Sequence, residues 1–146
     1  MDNQIELIYD FTTRLQSISG RNDKESFIKQ HKDNEVVKSY LKCVLDPMVT
    51  FGIQKKKLDK HIGESYVDKP FQSIFECFEY LKENNTGRDS DVKLVASYIN
   101  SQDEKYRDFL IESITKSIKL GVSPKTLDGI YGEPLFGLFE IQRGKS

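Results

Sequence analysis

The stretch Ile118-Lys119-Leu120-Gly121-Val122-Ser123-Pro124-Lys125-Thr126 decides how the chain is read. Apolar residues spaced as on one helix face lead into it and stop at Leu120. Gly121 has the freedom to take the left-handed conformation that closes a helix. Ser123 followed by Pro124 is an N-cap with a first-turn proline, the pattern that opens the next helix. Two helix ends are therefore expected to meet within about three residues. The new N-terminus presents backbone N–H groups with partial positive charge, Lys119 and Lys125 flank it, and such ends hold phosphate. From Ser113 to Leu127 the chain carries lysines at 116, 119 and 125 and no acid. The plainer reading of the same residues is a helix-helix corner with solvated lysines.

Working back from this corner, Ser101 with Glu104 resembles a capping box that launches a long sixth helix, with Tyr106, Phe109, Leu110, Ile114 and Ile118 inward. Thr86 with Asp89 is read as the cap of a fifth helix carrying Val92, Val95, Tyr98 and Ile99, preceded by the polar loop Asn84-Asn85-Thr86-Gly87-Arg88. A fourth helix is placed from Pro70, with the stripe Phe71, Ile74, Phe75, Phe78 and Leu81. Met48 to Tyr66 is irregular, a loop with a helical turn in it, and the lysines there look solvated. Val36, Val37, Tyr40, Leu41, Val44 and Leu45 make a third helix that begins after Asp33-Asn34 and ends at Asp46-Pro47. A short second helix starts from Asn22 and Glu25, another capping-box pattern, and buries Phe27 and Ile28. The first helix, Asp2 to Ile18, repeats Ile5, Ile8, Phe11, Leu15 and Ile18 at steps of three and four.

Beyond the corner, a brief seventh helix ends at Gly132-Glu133-Pro134, and Leu135 to Ser146 reads as a connector. No alternating strand pattern occurs. The expected class is all-α, a single compact bundle of about seven helices with short polar loops.

The chain of 146 residues is the size of one domain and buries roughly two-thirds of its unfolded surface in one core. Charged residues at 31% with 37% hydrophobic and 11% aromatic exclude a disordered chain. No charged-then-apolar leader opens it and apolar runs are short, so a cytoplasmic protein is expected, with no membrane association. Cys43 and Cys77 fall on apolar helix faces and are read as reduced core residues, and His31 and His61 as surface side chains. No metal site is indicated.

A formal net charge of −1 argues against coating nucleic acid by bulk electrostatics, so any such contact must come from local clusters. Lys55, Lys56 and Lys57, in an acid-free run from Pro47 to Leu58, form a second cluster.

No P-loop, GxSxG, HExxH or paired catalytic carboxylates are present. Lys125-Thr126-Leu127-Asp128-Gly129 has one residue more than the K-x-D-G lysine motif of nucleotidyl transferases and would lie on a helix, so it is read as coincidence. The chain reads as a binder, non-catalytic on its own. One way to bind would be a helix-turn-helix with Ser117 as its small residue, Gly121 in the turn, and Leu120, Val122, Leu127 and Ile130 as core. Its recognition helix would offer Lys125, Thr126 and Asp128, a poor set for reading bases. The other way needs only backbone amides and lysines on phosphates.

Taken together, five segments resemble the N-terminal, all-helical DNA-binding domain of phage-type ATP-dependent DNA ligases. They are residues 19–25, 32–35, 46–53 (Asp46-Pro47-Met48-Val49-Thr50-Phe51-Gly52-Ile53), 84–88 and 119–126. The resemblance implies sequence-independent gripping of nicked duplex DNA across the minor groove, for use in DNA repair, replication and recombination. It implies a monomer whose partners are the nucleotidyl transferase and OB-fold domains of the same polypeptide, with residues 1–134 as the DNA-binding domain and 135–146 leading toward a catalytic domain absent from this chain. ATP and Mg2+ would serve the full ligase, with no cofactor in this chain. Carried over by position, Lys119, Gly121, Val122, Ser123, Lys125 and Thr126 hold backbone phosphates, Thr86, Gly87 and Arg88 make a second contact at the minor groove, and Arg21 and Lys24 a third. Two other classes stay open: a prophage helix-turn-helix regulator, and a helical protein-interaction module using Leu135-Phe136-Gly137-Leu138-Phe139.

Overall fold

The three- and four-residue spacing of Ile5, Ile8, Phe11 and Leu15 produces helix α1 (Asn3–Ser17), and all four side chains are buried. A computed structural model describes residues 3–133, which are all-α: eight α-helices, one short 3-10 turn and no strand among the described residues. None of these helices is long and apolar enough to cross a membrane. The residues group into two compact units, 3–6 with 50–118 and 7–49 with 119–133.

The unit containing residues 7–49 and 119–133 holds the rest of α1, then α2 (Arg21–Gln30), α3 (Glu35–Leu45) and α8 (Pro124–Tyr131), with α2 packed on α8. Asn34 caps α3 by accepting from the N–H groups of Val36 and Val37. Helix α2 starts earlier than the Asn22–Glu25 pattern suggests: its N-cap is Gly20, with no side-chain cap. The core includes Ile28, Tyr40, Leu41, Leu120, Leu127 and Ile130. His31, expected at the surface, is only partly exposed. Its ring centroid lies 5.3 Å from that of Phe11 and 4.6 Å from that of Phe27, and its Nδ1 lies 2.9 Å from the Phe27 carbonyl.

The other unit contains α4 (Lys55–Asp59), α5 (Ile74–Glu83), α6 (Asp89–Asn100), the 3-10 turn Glu104–Tyr106 and α7 (Arg107–Ile114). The helical turn in the irregular region proves to be α4, with Leu58 buried beneath the lysines. Three expected helix starts move. Ser73, not Pro70, caps α5 by accepting from the Glu76 N–H, so Phe71 is buried ahead of the helix. Arg88 occupies the N-cap of α6 in place of Thr86, and Asp103 caps the 3-10 turn in place of Ser101. Short polar side chains compete for nearby backbone donors, and tertiary packing selects among them. Ser97 shows this inside α6: its buried hydroxyl accepts from the Tyr66 and Val67 N–H groups at 2.8 and 3.1 Å and so holds the 60s loop. His61, also expected on the surface, is half-buried, with its Nδ1 3.0 Å from the Tyr66 hydroxyl. Cys43 and Cys77 are buried and form no disulfide among the described residues, and burial pushes the Cys77 thiol far above its usual range.

Helix α7 departs furthest from the sequence reading. It ends at Ile114, not Leu120, and nine residues, 115–123, separate it from α8. The stop is a Schellman arrangement in which Lys116 takes a left-handed φ of 58°. The Ser117 N–H reaches the Glu112 carbonyl at 2.9 Å and the Lys116 N–H the Ser113 carbonyl at 3.2 Å. Gly121 also has a positive φ, 78°, but within the connection rather than at a helix end. The two helices therefore do not form the tight turn of a helix-turn-helix, and Ser117 and Leu120 are not helical.

Candidate functional site

Arg21, Glu25 and Lys29 recur at four-residue steps along α2 and so lie on one face of that helix. On α8, Lys125 and Gly129 have the same spacing. Packing α2 against α8 brings both stripes to a cleft of about 420 Å³, completed by Ser123, Thr126 and Ile130. Among the described residues Lys29 and Lys125 have no ion-pair partner. The one acid of the cleft, Glu25, accepts from Arg21 Nε at 3.2 Å, and Arg21 is 81% exposed. Gly129 is exposed, and a Cβ there would meet no atom within 4 Å, so the cleft is open over the middle of α8.

The start of α8 offers less than four orphan amides. Pro124 has no N–H, the Ser123 hydroxyl accepts from the Thr126 N–H at 3.2 Å, and the Leu127 N–H is bound to the Ser123 carbonyl. The amide left for a ligand in this first turn is that of Lys125.

The connection before α8 is pinned from behind. Lys24, expected to contact DNA, instead turns inward: its Nζ donates to the Leu15 carbonyl at 2.8 Å and to the Leu120 carbonyl at 3.3 Å. Its stem fills the space next to Gly121, where an added Cβ would lie 3.0 Å from Lys24 Cε. Gln16 Nε2 donates to the Lys119 carbonyl at 3.0 Å, while the Lys119 residue is exposed and Val122 half-buried. Of the expected contact residues in this unit, Arg21, Ser123, Lys125 and Thr126 line the cleft. Lys24 and Gly121 do not line it and pack against each other at the connection before α8.

Thr86, Gly87 and Arg88 belong to the other unit. Gly87 has φ 72° and closes on Gly52, also at 72°: a Cβ at 87 would stand 2.5 Å from the Gly52 carbonyl oxygen, and one at 52 only 1.9 Å from that of Asn85. Arg88 is not a free cation. Its Nε donates to Asp91 at 3.1 Å, a carboxylate whose side chain is 1% exposed, and its Nη2 reaches Asn84 Oδ1 at 3.4 Å. The Asp91 hydrogen bond and charge raise the Arg88 pKa further. Tyr80 donates to the same carboxylate at 2.6 Å and is pushed up for the same reason.

The sequence reading missed Glu25, Lys29 and Gly129. The four-residue spacing is visible in the sequence, but only the packing of α2 on α8 shows that these residues share one cleft with Lys125. Leu135–Phe139 and the connector from 135 lie outside the described residues, and among the described residues no group of three or more His, Cys, Asp or Glu is placed to hold a metal ion. Comparison of the chain with protein-family models, with curated proteins and with solved structures finds no match.

Proposed function

We propose that this chain binds duplex DNA independently of sequence, gripping the phosphate backbone at the α2–α8 cleft. The observation that carries the reading is the convergence of Lys29 and Lys125, both without an ion-pair partner among the described residues, and the exposed Arg21 on an open cleft at the start of a helix. Side chains of this kind position a protein on a duplex and carry no base code. Gly129 leaves room for a phosphate to approach the helix. A net charge of −1 keeps the attraction local, so binding is modest and sensitive to salt.

In keeping with the resemblance, the role we assign is the DNA-gripping part of an ATP-dependent ligase, which presents nicked duplex to catalytic domains elsewhere in the same polypeptide. The regulator alternative is disfavoured because residues 115–123 separate α7 from α8 by nine residues, where a helix-turn-helix has a short turn.

Lys29→Ala combined with Lys125→Ala tests the cleft. Fluorescence anisotropy should show weaker binding to every duplex alike, and the slope of log affinity against log salt should fall by about 2, at roughly 0.9 per lost phosphate contact. Retained affinity and slope, or a loss confined to one sequence, contradicts the proposal.

A further inference from the structure

The α2–α8 cleft carries an anion of its own. Glu25 stands between Arg21 and Lys29 on one face of α2, about one helical turn from each. Its side chain is 27% exposed against 81% for Arg21, so the carboxylate is the more sheltered of the two. It accepts from Arg21 Nε at 3.2 Å, and the two terminal nitrogens of Arg21 make no hydrogen bond among the described residues. The pair is weak. A single bond through Nε lacks the two parallel bonds of a bidentate arginine–carboxylate pair, and a cation four residues ahead of an acid is the less favourable order on a helix. The more favourable order, Glu25 with Lys29, is not used, since Lys29 has no ion-pair partner among the described residues.

We infer that Glu25 is a built-in competitor for this cleft: it holds Arg21 in the unbound chain and yields it to a phosphate of the duplex. The inference rests on the reading of the chain as a duplex binder and adds what sets the affinity of that site. A phosphate that reaches Lys29 and Lys125 shares the cleft with the Glu25 carboxylate, and the two like charges repel. Arg21 is exposed enough to turn, and a phosphate offers its fork the two parallel bonds that Glu25 does not. Binding therefore exchanges one weak ion pair for a stronger one and leaves a carboxylate to find a counterion from solution. The net gain per phosphate is smaller than three cations would give alone, which keeps the grip modest.

The test is Glu25→Gln, which keeps the size and the acceptor oxygen of the side chain and removes its charge. Asp10→Asn is the control, an exposed acid of the same unit that does not line the cleft. Circular dichroism checks that both variants keep the helical content of the unaltered chain. Anisotropy with random-sequence duplex should show Glu25→Gln binding several-fold more tightly at low salt, with a slope of log affinity against log salt steeper by about 1, while Asp10→Asn stays close to the unaltered chain. Arg21→Ala should cost about twofold more in the Glu25→Gln background than in the unaltered one, the contribution of a helical ion pair that no longer has to be broken. Equal gains in the two acid variants would reduce the effect to bulk charge and overturn the inference, as would unchanged or weaker binding by Glu25→Gln. An Arg21→Ala cost that is equal in both backgrounds, or larger with Glu25 in place, also overturns it, because a carboxylate that positions Arg21 gives that result. Failure of the unaltered chain to bind any duplex overturns the functional reading beneath it.

Discussion

A lysine next to a glycine in a candidate binding loop is read naturally as a ligand contact, and Lys24 shows how geometry reverses that reading. Its ammonium donates to two carbonyls, that of Leu15, which also accepts from the Ile18 N–H, and that of Leu120, and its stem occupies the side of Gly121. Hydrogen bonds to a charged donor are worth about 1.5–3 kcal/mol, and part exposure lowers that, so Lys24→Met should cost about 1–2 kcal/mol. Urea denaturation measures the cost. The salt slope of DNA binding should stay that of the unaltered chain, because no phosphate contact is removed. A reduced slope at unchanged stability would make Lys24 a direct contact after all. Nothing in the sequence distinguishes Lys24 from Lys29 or Lys125, since which of these cations faces inward depends on the packing around the connection, not on residue type.

At the scale of elements, the apolar periodicity placed α1, α3, α5 and α6 well because each buries a stripe, and burial of a stripe is what periodicity reports. It failed at the end of α7. Ile114, Ile118 and Leu120 are all buried, but the latter two are buried from a non-helical connection. The usual signal for a helix stop is glycine, and Gly121 supplied it five residues too late, while the left-handed position is filled by Lys116. A side chain with a Cβ in that conformation costs about 1–2 kcal/mol. The Lys116 ammonium lies 5.8 Å from the Phe51 ring centre, near the outer limit of such contacts and worth under about 1 kcal/mol when exposed. Lys116→Gly should therefore stabilise the chain by about 0.5–1 kcal/mol, seen as a raised urea midpoint with an unchanged m value. A destabilised variant would mean that the contacts of the Lys116 side chain outweigh the backbone strain. The cap of α8 was legible for the opposite reason. Ser123 and Pro124 act locally, and the hydroxyl bond to the Thr126 N–H needs no distant partner. Capping patterns at 22, 86 and 101 had the same local logic and were displaced by neighbours at Gly20, Arg88 and Asp103.

For the molecule as a whole, helical class follows from the pattern of apolar residues and was readable throughout. The candidate site was readable only in pieces. Ser123, Lys125, Thr126 and Arg21 were found from loop chemistry, and the cleft that unites them with Lys29 depends on α2 packing against α8. Charge is likewise a property of placement. A chain with a net charge of −1 holds, among the described residues, lysines without ion-pair partners on α2, α4 and α8, while several other cations pair with carboxylates such as Asp89, Asp91 and Glu133. The measurement that tests the central claim most directly is an anisotropy titration of the unaltered chain with nicked and intact duplexes of two unrelated sequences, at two salt concentrations. The account predicts equal affinity for the two sequences and a steep fall in affinity with salt, the mark of counterion release. Affinity that differs between the sequences but not between the salts, or no binding at the lower salt, would contradict it.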